Sequence, residues 1–337
     1  MFPLYKIIFF NSMIAGTLIS ISSYSWMSMW MGLEINLLSI IPLMNNAKNV
    51  YSTEASIKYF LTQVLASLIL LFSIIMLLLS NEFITPLVNQ SLMMIMNSSL
   101  LTKLGAAPFH FWFPEVMEGL NWMNCLILLT WQKIAPMILI MNNKCTPFFL
   151  MVIIITSIFI SGVSALNQIS LRKIMTFSSI NHIGWMLTAT LVGHSVWTLY
   201  FLIYTFLTLN MVLIFSWTKT YFIKQLSNSM NENKLVKFTI MLNFLSLGGL
   251  PPFLGFLPKW MIVNLLSYGQ MFFLAVTMII LTLLSLFIYV RLMFFSMILL
   301  NIETKIKLTS KKQTKPIALM LVTSLLIVFG TLILNSI

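Results

Sequence analysis

The chain has 337 residues, of which 59% are apolar and 8% charged; an average soluble domain carries about 25% charged residues, so the composition excludes a water-soluble globule and makes lipid the solvent for most of the surface. Only two cysteines occur, Cys125 and Cys145, with no CxxC, no Cys/His cluster, no GxGxxG followed by an acidic residue and no GxxxxGKS or GxxxxGKT, which excludes the usual iron–sulfur, haem, zinc and nucleotide-phosphate sites. No cofactor or metal is therefore expected in this chain, and the formal net charge of +12 does not call for nucleic acid, because it follows the topology derived next.

Each crossing of a bilayer needs about 20 apolar residues. The chain divides into eleven such predicted spans, at 7–23, 26–44, 57–80, 88–112, 122–142, 148–169, 174–193, 195–217, 238–265, 271–299 and 316–335. The expected fold class is an all-α polytopic membrane protein forming one transmembrane domain over 1–337, with approximate repeat halves 1–146 and 147–300 and a terminal helix at 316–335. Met1 to Lys6 followed by an apolar run has the outline of a short signal peptide. Removing it would leave Glu34 on the first span and upset the charge asymmetry, so 7–23 is taken as a span. With the N-terminus on one side, that side's loops and tails hold 14 basic residues and the other side only Lys144. By the positive-inside rule the richer side is the cytoplasm-equivalent compartment.

The second span carries Glu34, with no charged neighbour and only Asn36 as a polar one. Charge at the bilayer centre costs roughly 2.5 to 3.5 kcal/mol, so Glu34 requires a partner on another helix, either as a structural ion pair or as a titrating carboxylate. Lys103, on the fourth span, is the natural partner. An amine that loses its counter-charge in a dry environment gives up its proton more readily, so such a pair has two states. Lys133, on the fifth span, is about ten residues or ~15 Å of helix rise from the nearer end, beyond comfortable snorkelling. His182, on the seventh span, is a relay candidate or a hydrogen-bonded structural histidine. Thr130, Gln132, Ser178, Ser179, Asn181 and Ser246 are positioned to order water, or simply to pack. Arg291 is expected to snorkel or to pair near the basic side rather than to carry protons. The segments 218–237 and 300–315 are expected to be solvated loops and docking surfaces.

The ninth span carries Lys259 and repeats the chemistry of the fourth. Gly105, Pro108, Phe109 and Pro114 match Gly249, Pro252, Phe253 and Pro258 at an offset of 144 residues. Glycine and proline break the helix ladder and free carbonyls near each lysine. The two copies lie five spans apart, and an odd offset implies inverted repeats with two broken helices, as in transporter cores. One carboxylate and three amines at similar depth define a lateral path for protons, with Glu34, Lys103, Lys133 and Lys259 as its carriers.

The motifs WMGLEINLLSIIP at 30–42, STEASIKYFLTQ at 52–63, LTKLGAAPFHFWFPEVMEGLNWM at 101–123, TWQKIAP at 130–136, LNQISLRKIMTFSSINHIGWM at 166–186 and FLSLGGLPPFLGFLPKW at 244–260 closely resemble the subunit 2 family of mitochondrial NADH:ubiquinone oxidoreductase, respiratory complex I, in its short animal form. The resemblance implies an antiporter-like membrane-arm subunit in which Glu34 and Lys103 form the coupling pair, Lys133 is the central relay and Lys259 lies nearer proton exit. It implies proton translocation coupled to electron transfer, with NADH, FMN, iron–sulfur clusters and ubiquinone held by other subunits and no redox catalysis by this chain alone. The implied partners are other core and accessory subunits and membrane lipids. The implied location is the mitochondrial inner membrane, N-terminus in the matrix and C-terminus in the intermembrane space. Two other functions use the same residues or the same fold: a stand-alone secondary cation/proton antiporter, and a non-conducting structural subunit.

Overall fold

The computed structural model describes residues 4–45, 49–80, 86–143, 146–232, 234–251 and 253–294. The expected terminal span 316–335, the end of the tenth span at 295–299 and the segment 300–315 lie outside the described residues, as do Lys144, Cys145 and Pro252. Two compact units are present, Met1–Thr156 and Ser157–Ile337.

Among the described residues the first unit contains α1 (Leu4–Ser22), α2 (Trp26–Met44), α3 (Val50–Ser80), α4 (Pro86–Leu104), α5 (Trp112–Gly119), α6 (Trp122–Leu129) and α7 (Trp131–Asn142), and the unit boundary falls within α8 (Pro147–Ala165). The second contains α9 (Leu171–Val192), α10 (His194–Thr218), α11 (Ile223–Glu232), α12 (Lys234–Gly248), α13 (Phe256–Tyr268) and α14 (Phe272–Phe294). Seven of the described segments are long and apolar enough to cross a bilayer: α1, α2, α3, α6 with α7, α8, α10 and α14.

The fourth, seventh and ninth expected spans fall outside those seven for chemical reasons. The ninth is interrupted, as α12/α13, and the fourth, broken as α4/α5, carries Gln90, Asn97 and Lys103 on α4. The seventh is α9, which carries Arg172, Lys173, Asn181 and His182 and is buried continuously from Ile174 to Ala189. A helix enclosed by protein tolerates polar groups because its neighbours, not lipid, supply their partners.

The 144-residue repeat is written into the backbone. Gly105 and Gly249 both adopt left-handed φ, +73° and +78°, where a Cβ would be strained. The Gly105 N–H donates to the Thr102 carbonyl (3.1 Å) and the Ala106 N–H to Leu101 (3.1 Å); in the second copy Gly249 donates to Ser246 (3.0 Å) and Leu250 to Leu245 (3.3 Å). Both helices therefore end in the same Schellman arrangement. The following turn is repeated too, Phe109 N–H to Ala106 at 2.8 Å and Phe253 N–H to Leu250 at 2.9 Å.

Two features depart from the expectations. The fifth span is not continuous: Thr130 takes φ −115° and ψ −70° between α6 and α7. Its N–H and its hydroxyl both donate to the Leu126 carbonyl, at 3.0 and 2.7 Å, a local side-chain bond that competes with the regular ladder. The segment 218–237 is not a loop throughout. It contains α11, an amphipathic helix that buries Leu226 and Met230, and its approach is pinned where Leu171 N–H donates to the Tyr221 carbonyl at 2.8 Å.

Candidate functional site

Among the described residues three lysines are buried, and each sits at a helix interruption. Lys103 occupies the last turn of α4, Lys133 the first turn of α7 after Thr130, and Lys259 the first turns of α13 after the second break. Their exposures are 8%, 1% and 8%. A group this deeply buried carries charge only where dipoles or partners stabilise it, and the carbonyl end of a helix is such a place.

In the first unit, Lys103 shares a small polar cavity with Leu33, Asn36, Leu37, Tyr59, Gln63, Gln132 and Pro136. The space open to the centre of a water molecule there is about 10 Å³, the scale of a single water. Glu34, half-buried on α2, is the carboxylate whose charge Lys103 feels. The two are apart: no carboxylate oxygen of Glu34 lies within 4.0 Å of the ammonium. Glu34 Oε1 and Gln63 Nε2 are buried without a hydrogen-bond partner among the described residues. Lys133 Nζ lies 6.0 Å from the centre of the Phe113 ring. Phe113 also closes on the first break, 3.1 Å from where a Cβ on Gly105 would be.

In the second unit the lysine approaches the break from the other side. The repeat mate of Lys103 is Leu247, and that of Lys259 is Glu115. Lys259 Nζ nevertheless donates to the carbonyls of Gly248 (3.0 Å) and Leu247 (3.4 Å). Each copy thus carries a buried lysine next to its break, one in the last turn before it and one after it. Trp185 lies over Lys259, 5.8 Å from Nζ to the ring centre. Glu115, by contrast, is an exposed partner of Lys58 at 3.1 Å, and Lys58 also pairs with Glu54 at 2.9 Å. These two glutamates are exposed charges on α3 and α5.

His182 is buried in the second unit, its Nδ1 at 2.8 Å from the Tyr200 hydroxyl and its ring 5.1 Å from that of Tyr204. Tyr204 hydrogen-bonds with Ser179 and Tyr289 with Ser178, while Asn181 Nδ2 donates to Ser285 Oγ at 2.9 Å. The hydroxyls of Thr130, Ser178, Ser179 and Ser246 donate to carbonyls of their own segment, which leaves their oxygens as acceptors. The sequence does not single out Tyr59, Tyr200, Tyr204, Tyr289 or Gln63. Their signal is a phenol or amide deep inside an apolar span, which looks the same for a packing residue. Arg291 caps the end of α8 by donating to the Leu166 carbonyl. Tyr200→Phe is expected to destabilise the protein in its native assembly by about 1–3 kcal/mol, since it strips a buried imidazole nitrogen of that partner; thermal inactivation of the purified assembly measures it.

Residues 23–285 match the family described as NADH:quinone oxidoreductase/Mrp antiporter, transmembrane. NADH-ubiquinone oxidoreductase chain 2 of Anopheles gambiae is 53% identical over 298 residues, 88% of this chain and 86% of that one. The chain 2 protein of Lemur catta is 40% identical over 296 residues, 87% of this chain and 85% of that one. Among solved structures, a chain of respiratory complex I from Thermus thermophilus with bound aureothin superposes with TM-score 0.85 at 20% identity, covering 99% of this chain and 79% of that one. A chain of the Mrp complex from Dietzia superposes with TM-score 0.74 at 15% identity, covering 96% and 74%. These last two establish likeness of fold.

Proposed function

The chain belongs to the NADH-ubiquinone oxidoreductase chain 2 family, and from that premise we propose that Glu34, Lys103, Lys133 and Lys259, with His182 as a further relay residue, are the proton carriers of this subunit. As a member it is a proton-pumping, antiporter-like subunit of the membrane arm of respiratory complex I and part of a multi-subunit enzyme. Its own contribution is translocation and not redox chemistry. NADH, FMN, iron–sulfur clusters and ubiquinone belong to other subunits; the chain's own neighbours are core subunits, accessory subunits and lipid. The membrane is the mitochondrial inner membrane, with the N-terminus in the matrix and the C-terminus in the intermembrane space, a placement supported by the 14-to-1 bias of basic residues.

The observation that carries this reading is the coincidence of three buried ammonium groups with three helix interruptions. An interruption supplies carbonyls without a ladder partner and room for water, the two things a lysine needs in order to take up and release a proton inside a membrane. The separated Glu34 and Lys103 represent one of two states: closing the pair stabilises the ammonium, opening it releases the proton. In the assembled complex reconstituted in vesicles, Glu34→Gln and Lys103→Met are expected to assemble normally and to lower the proton-to-electron ratio. A ratio equal to wild type in both variants would remove the relay.

A further inference from the structure

Two neutral amides join the helix of Glu34 to the helix of Lys133. Asn36 Nδ2 donates to Gln132 Oε1 at 3.1 Å, and Gln132 Nε2 donates to Asn36 Oδ1 at 2.8 Å. The ring is closed and reciprocal, so flipping both amides together preserves it. Asn36 is buried at 3% exposure, and both amides line the cavity that holds Lys103.

Asn36 follows Glu34 by two positions on α2, and Gln132 immediately precedes Lys133 on α7. A helix is stiff over so short a stretch, so pinning Asn36 sets the direction of Glu34, about 200° further round the axis at 100° per residue. The backbone of the same turn is held by α1: a Cβ on Gly16 would lie 2.8 Å from the main-chain nitrogen of Asn36 and 3.0 Å from the Gly32 carbonyl oxygen. Helix α2 is thus held at one level by backbone contact with α1 and by two hydrogen bonds to α7.

We propose that Asn36 and Gln132 form a positioning clasp that couples the rotation of the Glu34 helix to Lys133, an inference that rests on the relay described above. The pair suits the task because it is uncharged at every pH and does not compete for the transferred proton. It is also sensitive to displacement, since parting the amides leaves buried donors and acceptors unpaired in a low-dielectric site. Neither residue exchanges a proton itself. When Glu34 and Lys103 close, α2 turns, and the clasp carries that turn to the first turn of α7.

The test is made in the intact complex reconstituted in vesicles, with Asn36→Leu, Gln132→Met, the double swap Asn36→Gln with Gln132→Asn, and Glu34→Gln, each scored for assembly and for proton-to-electron ratio. The single variants are near-isosteric, and they are expected to assemble, transfer electrons and lose at least half of the ratio. The swap conserves the total length and chemistry of the pair and is expected to restore it. Should either single variant fail to assemble, the swap decides: an assembled swap with a normal ratio supports the clasp, and one with a lowered ratio overturns it. Normal ratios in the singles with a lowered ratio in Glu34→Gln overturn the clasp and leave the relay standing. Normal ratios in both Glu34→Gln and Lys103→Met overturn the relay and the clasp together.

Discussion

Lys133→Met will lower coupled NADH:ubiquinone turnover about tenfold, corresponding to ~1.4 kcal/mol on the limiting barrier, while the complex assembles at wild-type levels. The reasoning starts from burial. Lys133 is 1% exposed in the first turn of α7, and methionine follows nearly the same path through the protein without the charge. Packing against Phe113 survives and the proposed proton carrier is lost. Methionine keeps the length and most of the volume of the side chain, so the variant is expected to unfold close to the wild-type temperature. Loss of activity with undiminished stability separates a carrier from a packing residue. Turnover under a membrane potential, the proton-to-electron ratio and a thermal melt of the assembled complex make the measurement. Wild-type turnover and ratio would remove Lys133 from the path.

Gly255→Ala is expected to prevent the subunit from accumulating in the complex. A Cβ there would sit 1.8 Å from the Ser246 carbonyl oxygen, and neither atom belongs to a flexible side chain that can swing aside. Overpacking in tight cores costs about 1 to 3 kcal/mol, occasionally more; an overlap between two backbone segments belongs at or beyond the upper end. The strain would fall on α12 at the turn whose carbonyls receive Lys259. Gly193→Ala is the control, because nothing lies within 4 Å of a Cβ at that position, and it is expected to stay within about 0.5 kcal/mol of wild type. Native gels of membranes carrying each variant distinguish them. Equal assembly of Gly255→Ala and Gly193→Ala would show that this approach is not needed.

The second break also shows how a repeat diverges. Position 255 matches Phe111 of the first copy, and Phe111 is 75% exposed. The first copy sends this residue outward from its break, whereas the second folds the same turn against α12 and therefore requires glycine. The lysine stands before the break in the first copy and after it in the second, where its ammonium reaches the carbonyls at the end of α12.

Features that depend on a few consecutive residues are legible in the chain itself. Two helix breaks, their glycines and the depth of Glu34, Lys103 and Lys133 follow from proline, glycine and hydrophobic run length, all properties of a short window of chain. The interruption at Thr130 is not legible there, because a threonine in an apolar run is as compatible with a straight helix as with a hydroxyl bonded back to Leu126. The enclosure of α9 is likewise decided by its neighbours: the same polar residues would mark a loop if protein did not cover them. The Asn36–Gln132 pair joins positions 96 residues apart, and the Tyr200–His182 contact crosses from one helix to another. Chain order by itself determined where charge enters the membrane; only tertiary packing decided which partner each buried group meets, because those contacts form between segments whose local sequences carry no mark of one another.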